Sequence, residues 1–185
     1  MTKYRKQIKR FWIDPQVIDL NPEQKLLFSY AITGMEACSN TLGSGIYEIS
    51  RASFENHLGF THDKVNEILD FFNEKKPSLL QYDKSNHMIF VKSFYKHNGN
   101  YKKGVSGLVE DFNDTYKKAP NFWKEFVERY RKELTKIYVI AQNPEDRQFL
   151  ERLFDLKNEF NELPALNISS ASVKKLTEKE NQLIK

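Results

Sequence analysis

Between residues 50 and 91 the chain carries two short helical patterns, a glycine turn and two apolar runs around a polar turn, and few folds accept that order. Leu58-Gly59-Phe60-Thr61 separates the helical patterns, which cover residues 50–57 and 61–73. Two short helices joined by a tight, often glycine-containing turn make a helix-turn-helix. In the second pattern Val65, Ile68, Leu69 and Phe72 fall at i, i+3, i+4 and i+7, one face of a helix. Thr61 is placed to cap it, Asp63 complements the dipole in its first turn, and Pro77 stops the pattern. Residues 79–91 then form two apolar runs around the polar turn Asp83-Lys84-Ser85-Asn86, which reads as a β-hairpin. Helix-turn-helix plus hairpin predicts a winged helix within an α+β fold, and that order points toward duplex DNA.

The flanking sequence extends this frame. Asn21-Pro22-Glu23 opens a helix with a good cap, a proline suited to the first turn and an acid for the dipole; Leu26, Leu27, Tyr30 and Ala31 form its apolar face, and Gly34 ends it. Residues 35–44 are small and polar and are expected to form a mobile loop. Residues 45–49 alternate as a short strand expected to pair with the hairpin. Three further helical patterns follow, at 106–118, 121–137 and from Asn143-Pro144 to about residue 163. The expected organisation is a winged-helix domain at 1–104, a helical extension at 105–164 for packing or oligomerisation, and a polar tail at 165–185 that frays.

Charge distribution says more than the net charge of +4. Residues 1–104 hold 15 Lys+Arg against 11 Asp+Glu, while 105–164 hold 10 against 12. Such asymmetry suggests a basic binding half. Lys84 to Val109 contains no acid and includes Lys84, Lys92, Lys96, Lys102 and Lys103. These lysines, with Arg5 and Lys6 of the N-terminal arm, are the expected phosphate contacts, and His87 belongs to the same hairpin. His62, Lys64 and Asn66, near the start of the second helix, would meet base edges or phosphates; asparagine pairs with adenine. The competing reading of that helix is a solvated face, because Glu67 and Asp70 repel phosphate. Phe94, Tyr95 and Tyr101 either stack on bases or close a core.

Other chemistries have little to stand on. Cys38 is the only cysteine, so an internal disulfide and a thiolate zinc site are excluded. His57, His62, His87 and His97 lack metal-ligand spacing, and no paired carboxylate or nucleophile constellation appears. Gly43-Ser44-Gly45 lacks the Lys-Ser/Thr of a phosphate loop. No catalytic residue, metal or cofactor is therefore expected. No signal peptide or membrane-spanning run is read, and a cytoplasmic location is expected. The last helical pattern places Phe149, Leu153, Leu156, Phe160 and Leu163 at heptad spacing. That stripe either packs on the preceding helices or joins copies of the chain; the expectation adopted is a homo-oligomer.

Four stretches in order, Arg10-Phe11-Trp12-Ile13-Asp14, residues 25–33, residues 45–50 and residues 89–98, carry a resemblance. They resemble the winged-helix N-terminal domains of phage and prophage replisome organisers, relatives of the DnaD-type replication initiation proteins, over roughly residues 5–130. The resemblance implies origin-DNA binding, oligomerisation and recruitment of a host helicase or its loader. The chain departs from longer members by ending early, which bears on helicase loading more than on DNA binding. A winged-helix transcriptional regulator, or a replisome adaptor that binds protein rather than DNA, remains the alternative.

Overall fold

A computed structural model describes residues 14–41, 43–98 and 105–155. The expectations for Arg5, Lys6, Tyr101, Lys102, Lys103, Leu156, Phe160, Leu163 and the 165–185 tail lie outside these residues. The described chain mixes helices with a small three-stranded antiparallel sheet and divides into two compact units after Tyr130.

The first helices follow their caps. Asp14 caps α1 (Pro15–Ile18) by accepting from Gln16 N. Asn21 and Gln24 exchange side-chain and backbone bonds at the start of α2 (Pro22–Thr33), a reciprocal capping box that satisfies two otherwise orphaned donors. Gly34 ends α2 as expected. The expected loop beyond it is instead largely helical, α3 (Met35–Asn40). Only Ala37 of α3 is buried, so the sequence carried no periodic stripe there; Asn40 Nδ2 anchors its end by donating to Glu48 O at 3.1 Å.

Ser50 caps α4 (Arg51–Leu58), and Gly59 ends it in the left-handed conformation (φ 69°). Open space surrounds the position a Cβ would take at Gly59, so backbone conformation alone requires the glycine. Thr61 caps α5 (His62–Glu74) through Lys64 N, and Val65, Ile68, Leu69 and Phe72 are buried, as the spacing predicts. They pack with Leu27, Phe28, Ala31 and Phe54 of α2 and α4; Phe28 and Phe72 lie 5.9 Å apart. A fully buried side chain of this kind contributes roughly 1.5–3 kcal/mol.

The sheet runs β1 (Ile46–Glu48), β3 (Met88–Val91), β2 (Leu80–Asp83), so the hairpin strand β3 is central. The expected strand at 45–49 does pair with the hairpin, Tyr47 opposite Ile89. Successive side chains alternate between faces. Ile89 and Val91 join the core under α2, α4 and α5. Met88 and Phe90 point the other way, and Phe90 meets Phe122 and Phe126 of the helix α8 (Pro120–Ile140) at 6.0 and 6.2 Å. Every β3 residue is therefore buried. The outer edge of β2 is occupied too: Asn73 accepts from Tyr82 N at 2.8 Å and donates to Tyr82 O at 3.1 Å.

Phe94 and Tyr95, on the short helix α6 (Phe94–Asn98), are buried, which resolves them as core residues. Gly45 has φ 77°, and a Cβ there would sit 2.4 Å from Phe94 Cβ. Helix α7 (Ser106–Thr115) packs on β1 and contributes a buried carboxylate, Asp111. Its Oδ2 accepts from Thr41 Oγ1 at 2.7 Å, Gly43 N at 3.1 Å, Ser44 N at 2.7 Å and Ser44 Oγ at 2.6 Å. The glycine-serine loop thus cradles an anion, and the anion is the chain's own. Trp123 closes this side, donating to Thr115 Oγ1 at 2.9 Å. This first unit runs past the expected boundary at residue 104, to Tyr130, where α8 leaves helical geometry (φ −107°, ψ 17°).

The second unit holds the rest of α8 and α9 (Pro144–Asp155). Asn143 accepts from Glu145 N at 3.0 Å to start α9, and Tyr138 donates to Glu151 at 2.8 Å. Phe149 and Leu153, expected on an exposed association stripe, are 6% and 0% exposed. That expectation is corrected for both: an apolar helix face is covered within the chain wherever it can be, and these two are covered already.

Candidate nucleic-acid interface

Helix α5 and the hairpin turn form one polar face. Asp83 builds the turn, accepting from Ser85 N, Asn86 N and Asn86 Nδ2. Partial burial would raise its carboxyl, but the Asn86 amide and these backbone donors hold it below the ordinary value. Lys84, exposed at the turn, reaches α5 and pairs with Asp70 at 2.7 Å. His87 closes the turn with φ 54°, its Nδ1 3.2 Å from the Tyr82 hydroxyl. The turn is thereby fixed beside the helix.

The expected base-reading residues all lie on α5, Lys64 on the flank toward α2 and His62 and Asn66 on the flank toward α4, and each already has a partner. Lys64 meets Glu67 at 2.8 Å and Glu23 at 3.5 Å, and the Glu67 contact chiefly raises its pKa. His62 meets Glu55 at 2.8 Å. Asn66 accepts from Arg51 Nη1 at 3.0 Å. Arg51 is a cation on this face that the motif reading missed; its position directly after the Ser50 cap is the signal that would have found it. Exposed ion pairs of this sort are weak, because water screens both charges.

Lys92 does not belong to the face, and the expectation for it is corrected. It is 2% exposed, continues the Met88–Phe90 side of β3, and lies against α8. Its ammonium pairs with Glu125 and sits 4.2 Å from the centre of the Phe90 ring. The pair lacks hydrogen-bond geometry, and Nζ has no hydrogen-bond partner among the described residues. Burial, only partly countered by Glu125, pushes the Lys92 amine down to about 8. Lys96 is exposed on α6.

Two other polar clusters are built in the first unit. Tyr30 donates to Glu36 and lies 2.6 Å from His57 Nδ1, joining α2, α3 and α4. Burial would raise the Glu36 carboxyl, but the Tyr30 hydroxyl and its other donors keep it low. A cleft lined by Glu36, Glu48, Glu110, Asp111, Asp114 and Lys118 is net acidic, the wrong sign for a nucleic acid. Among the described residues no side-chain cluster is composed to hold a metal ion, and no helix is long and apolar enough to cross a membrane. No family model, curated protein or solved structure matches the chain.

Proposed function

We propose that the first unit is a winged helix that binds duplex DNA without catalysis, as a cytoplasmic replication-initiation protein of the replisome-organiser kind. The observation that carries this reading is the Lys84–Asp70 contact, which joins the hairpin turn to α5 in one continuous polar face. A helix entering the major groove with its N-terminal residues, flanked by a hairpin on the backbone, is a recurrent docking geometry. Asn66 and Lys64 would read bases, Arg51 and Lys84 would hold phosphates, and a helicase or its loader is the expected protein partner. The same face would equally serve a transcriptional regulator.

Fluorescence anisotropy with a preferred and a scrambled duplex tests this. Asn66→Ala should cost about 1–3 kcal/mol on the preferred site and much less on the scrambled one. Equal losses on both would restrict α5 to backbone contact. A second reading, a protein-binding adaptor, is favoured by one fact: Lys64, His62 and Lys84 each already meet a carboxylate. Absence of duplex binding at low salt would establish it over the first.

A further inference from the structure

A groove of about 580 Å3 lies beside the hairpin, and neither the helix-turn-helix pattern nor the α5 face accounts for it. Asn73, Gln81 and Asn86 line it from α5 and the hairpin, and Lys117 of the α7–α8 turn with Asn121 and Phe122 of the first turn of α8 line it from the other elements. Its size is in the range of sites that hold extended ligands rather than a single small ion. The chemistry of its walls differs from that of the α5 face. Lys117, Gln81 and Asn121 have no side-chain hydrogen bond or ion pair among the described residues. A lysine offers three donors, and an amide offers two donors and an acceptor. Lys118, also at the groove, is paired with Glu48. The one acid in the wall, Asp83, is committed to the hairpin turn through Ser85 and Asn86. What remains on offer is a cation and uncommitted amides along a trough, which suits a chain of spaced anionic oxygens.

Continuity gives the trough its occupant. Asn86 is both part of the turn that presents Lys84 and part of the groove wall. A phosphodiester backbone in contact with Lys84 would pass Asn86 and enter the groove. We infer that this groove is a second nucleic-acid contact, in which Lys117 meets a phosphate while Gln81 and Asn121 bind backbone oxygens. The inference rests on the DNA-binding reading above and extends the footprint from α5 to the far side of the hairpin.

The test compares the full chain with Lys117→Ala, Gln81→Ala and Asn66→Ala by anisotropy on a short fluorescein-labelled duplex in rising salt. Thermal melting confirms that each variant folds. Lys117→Ala should weaken binding about three- to tenfold on any sequence and lower the log–log salt slope by about one, the change produced when one phosphate is no longer neutralised. Gln81→Ala should weaken binding less and leave the slope unchanged. If Asn66→Ala weakens binding but Lys117→Ala changes neither affinity nor slope, the groove assignment is wrong and the α5 reading stands. If Lys117→Ala lowers the slope while Asn66→Ala has no effect, the groove is the contact and α5 is not. If the intact chain fails to bind the duplex even at low salt, both are overturned.

Discussion

Lys92→Met is the sharpest test of the packing between the sheet and α8. The wild-type ammonium is 2% exposed between Phe90 and α8, with Glu125, Arg129 and Lys76 the charged groups that act on it. Its pKa falls from the ordinary 10.5 to about 8. One pH unit of displacement corresponds to about 1.4 kcal/mol, so the charged form burdens the fold by about 3 kcal/mol. The sign follows from linkage. Between pH 8 and 10.5 the unfolded chain keeps the proton that the folded chain has released, so stability rises with pH across that window. Below pH 8 both states are protonated, and the burden is constant and full. Methionine has a similar reach and no charge, and Glu125 is exposed enough to hydrate beside Arg129. Lys92→Met should therefore be more stable than wild type by about 3 kcal/mol at pH 7, the burden of the buried charge being removed while Glu125 stays hydrated. The gain should shrink toward zero by pH 10. Urea unfolding at pH 7, 8, 9 and 10 measures both curves. A stability difference that stays flat with pH would refute the claim that a buried ammonium is at issue.

Other substitutions probe single features. Asp111→Ala strands the donors of Thr41, Gly43 and Ser44 inside the protein and should cost roughly 3 kcal/mol or more by chemical denaturation. Gly59→Ala should cost about 1–2 kcal/mol, the left-handed penalty alone, because nothing crowds the site. Gly45→Ala should cost clearly more in the same assay, because its Cβ would collide with Phe94. Leu153→Asp should lower the melting temperature through a charge placed in a buried site, and sedimentation should show no folded monomer released from an oligomer.

Much of the first unit was legible because its signals are local. Asn21, Ser50, Thr61 and Gly59 act within a turn of their own helices, and the α5 stripe declares its buried face by spacing. The strands were legible for the same reason, β1 through alternation and the hairpin through two apolar runs around a polar turn. What escaped depended on distant partners. Helix α3 has no stripe and is held by neighbours such as Glu48. Lys92 looked like a surface charge by type, although its two-residue spacing from Met88 and Phe90 already put it on their face. Asp111 belongs to no motif and was not singled out, although it falls between Leu108 and Phe112 on the buried side of its helix. The stripe of Phe149 and Leu153 was plainly apolar, but a stripe does not say what covers it. The candidate face was legible in its residue types and not in its ion pairing, because Glu23, Glu55 and Asp70 come from three separate helices.

The amide of Asn73 has a consequence for the protein in a crowded solution. An open strand edge is a template onto which a further strand, from any chain, can add. At the middle of β2 both outward backbone groups, the N–H and the C=O of Tyr82, are taken by that one side chain. Asn73 therefore stands in for the neighbouring strand that the sheet lacks on that side, and a further strand finds no free partner at the middle of β2.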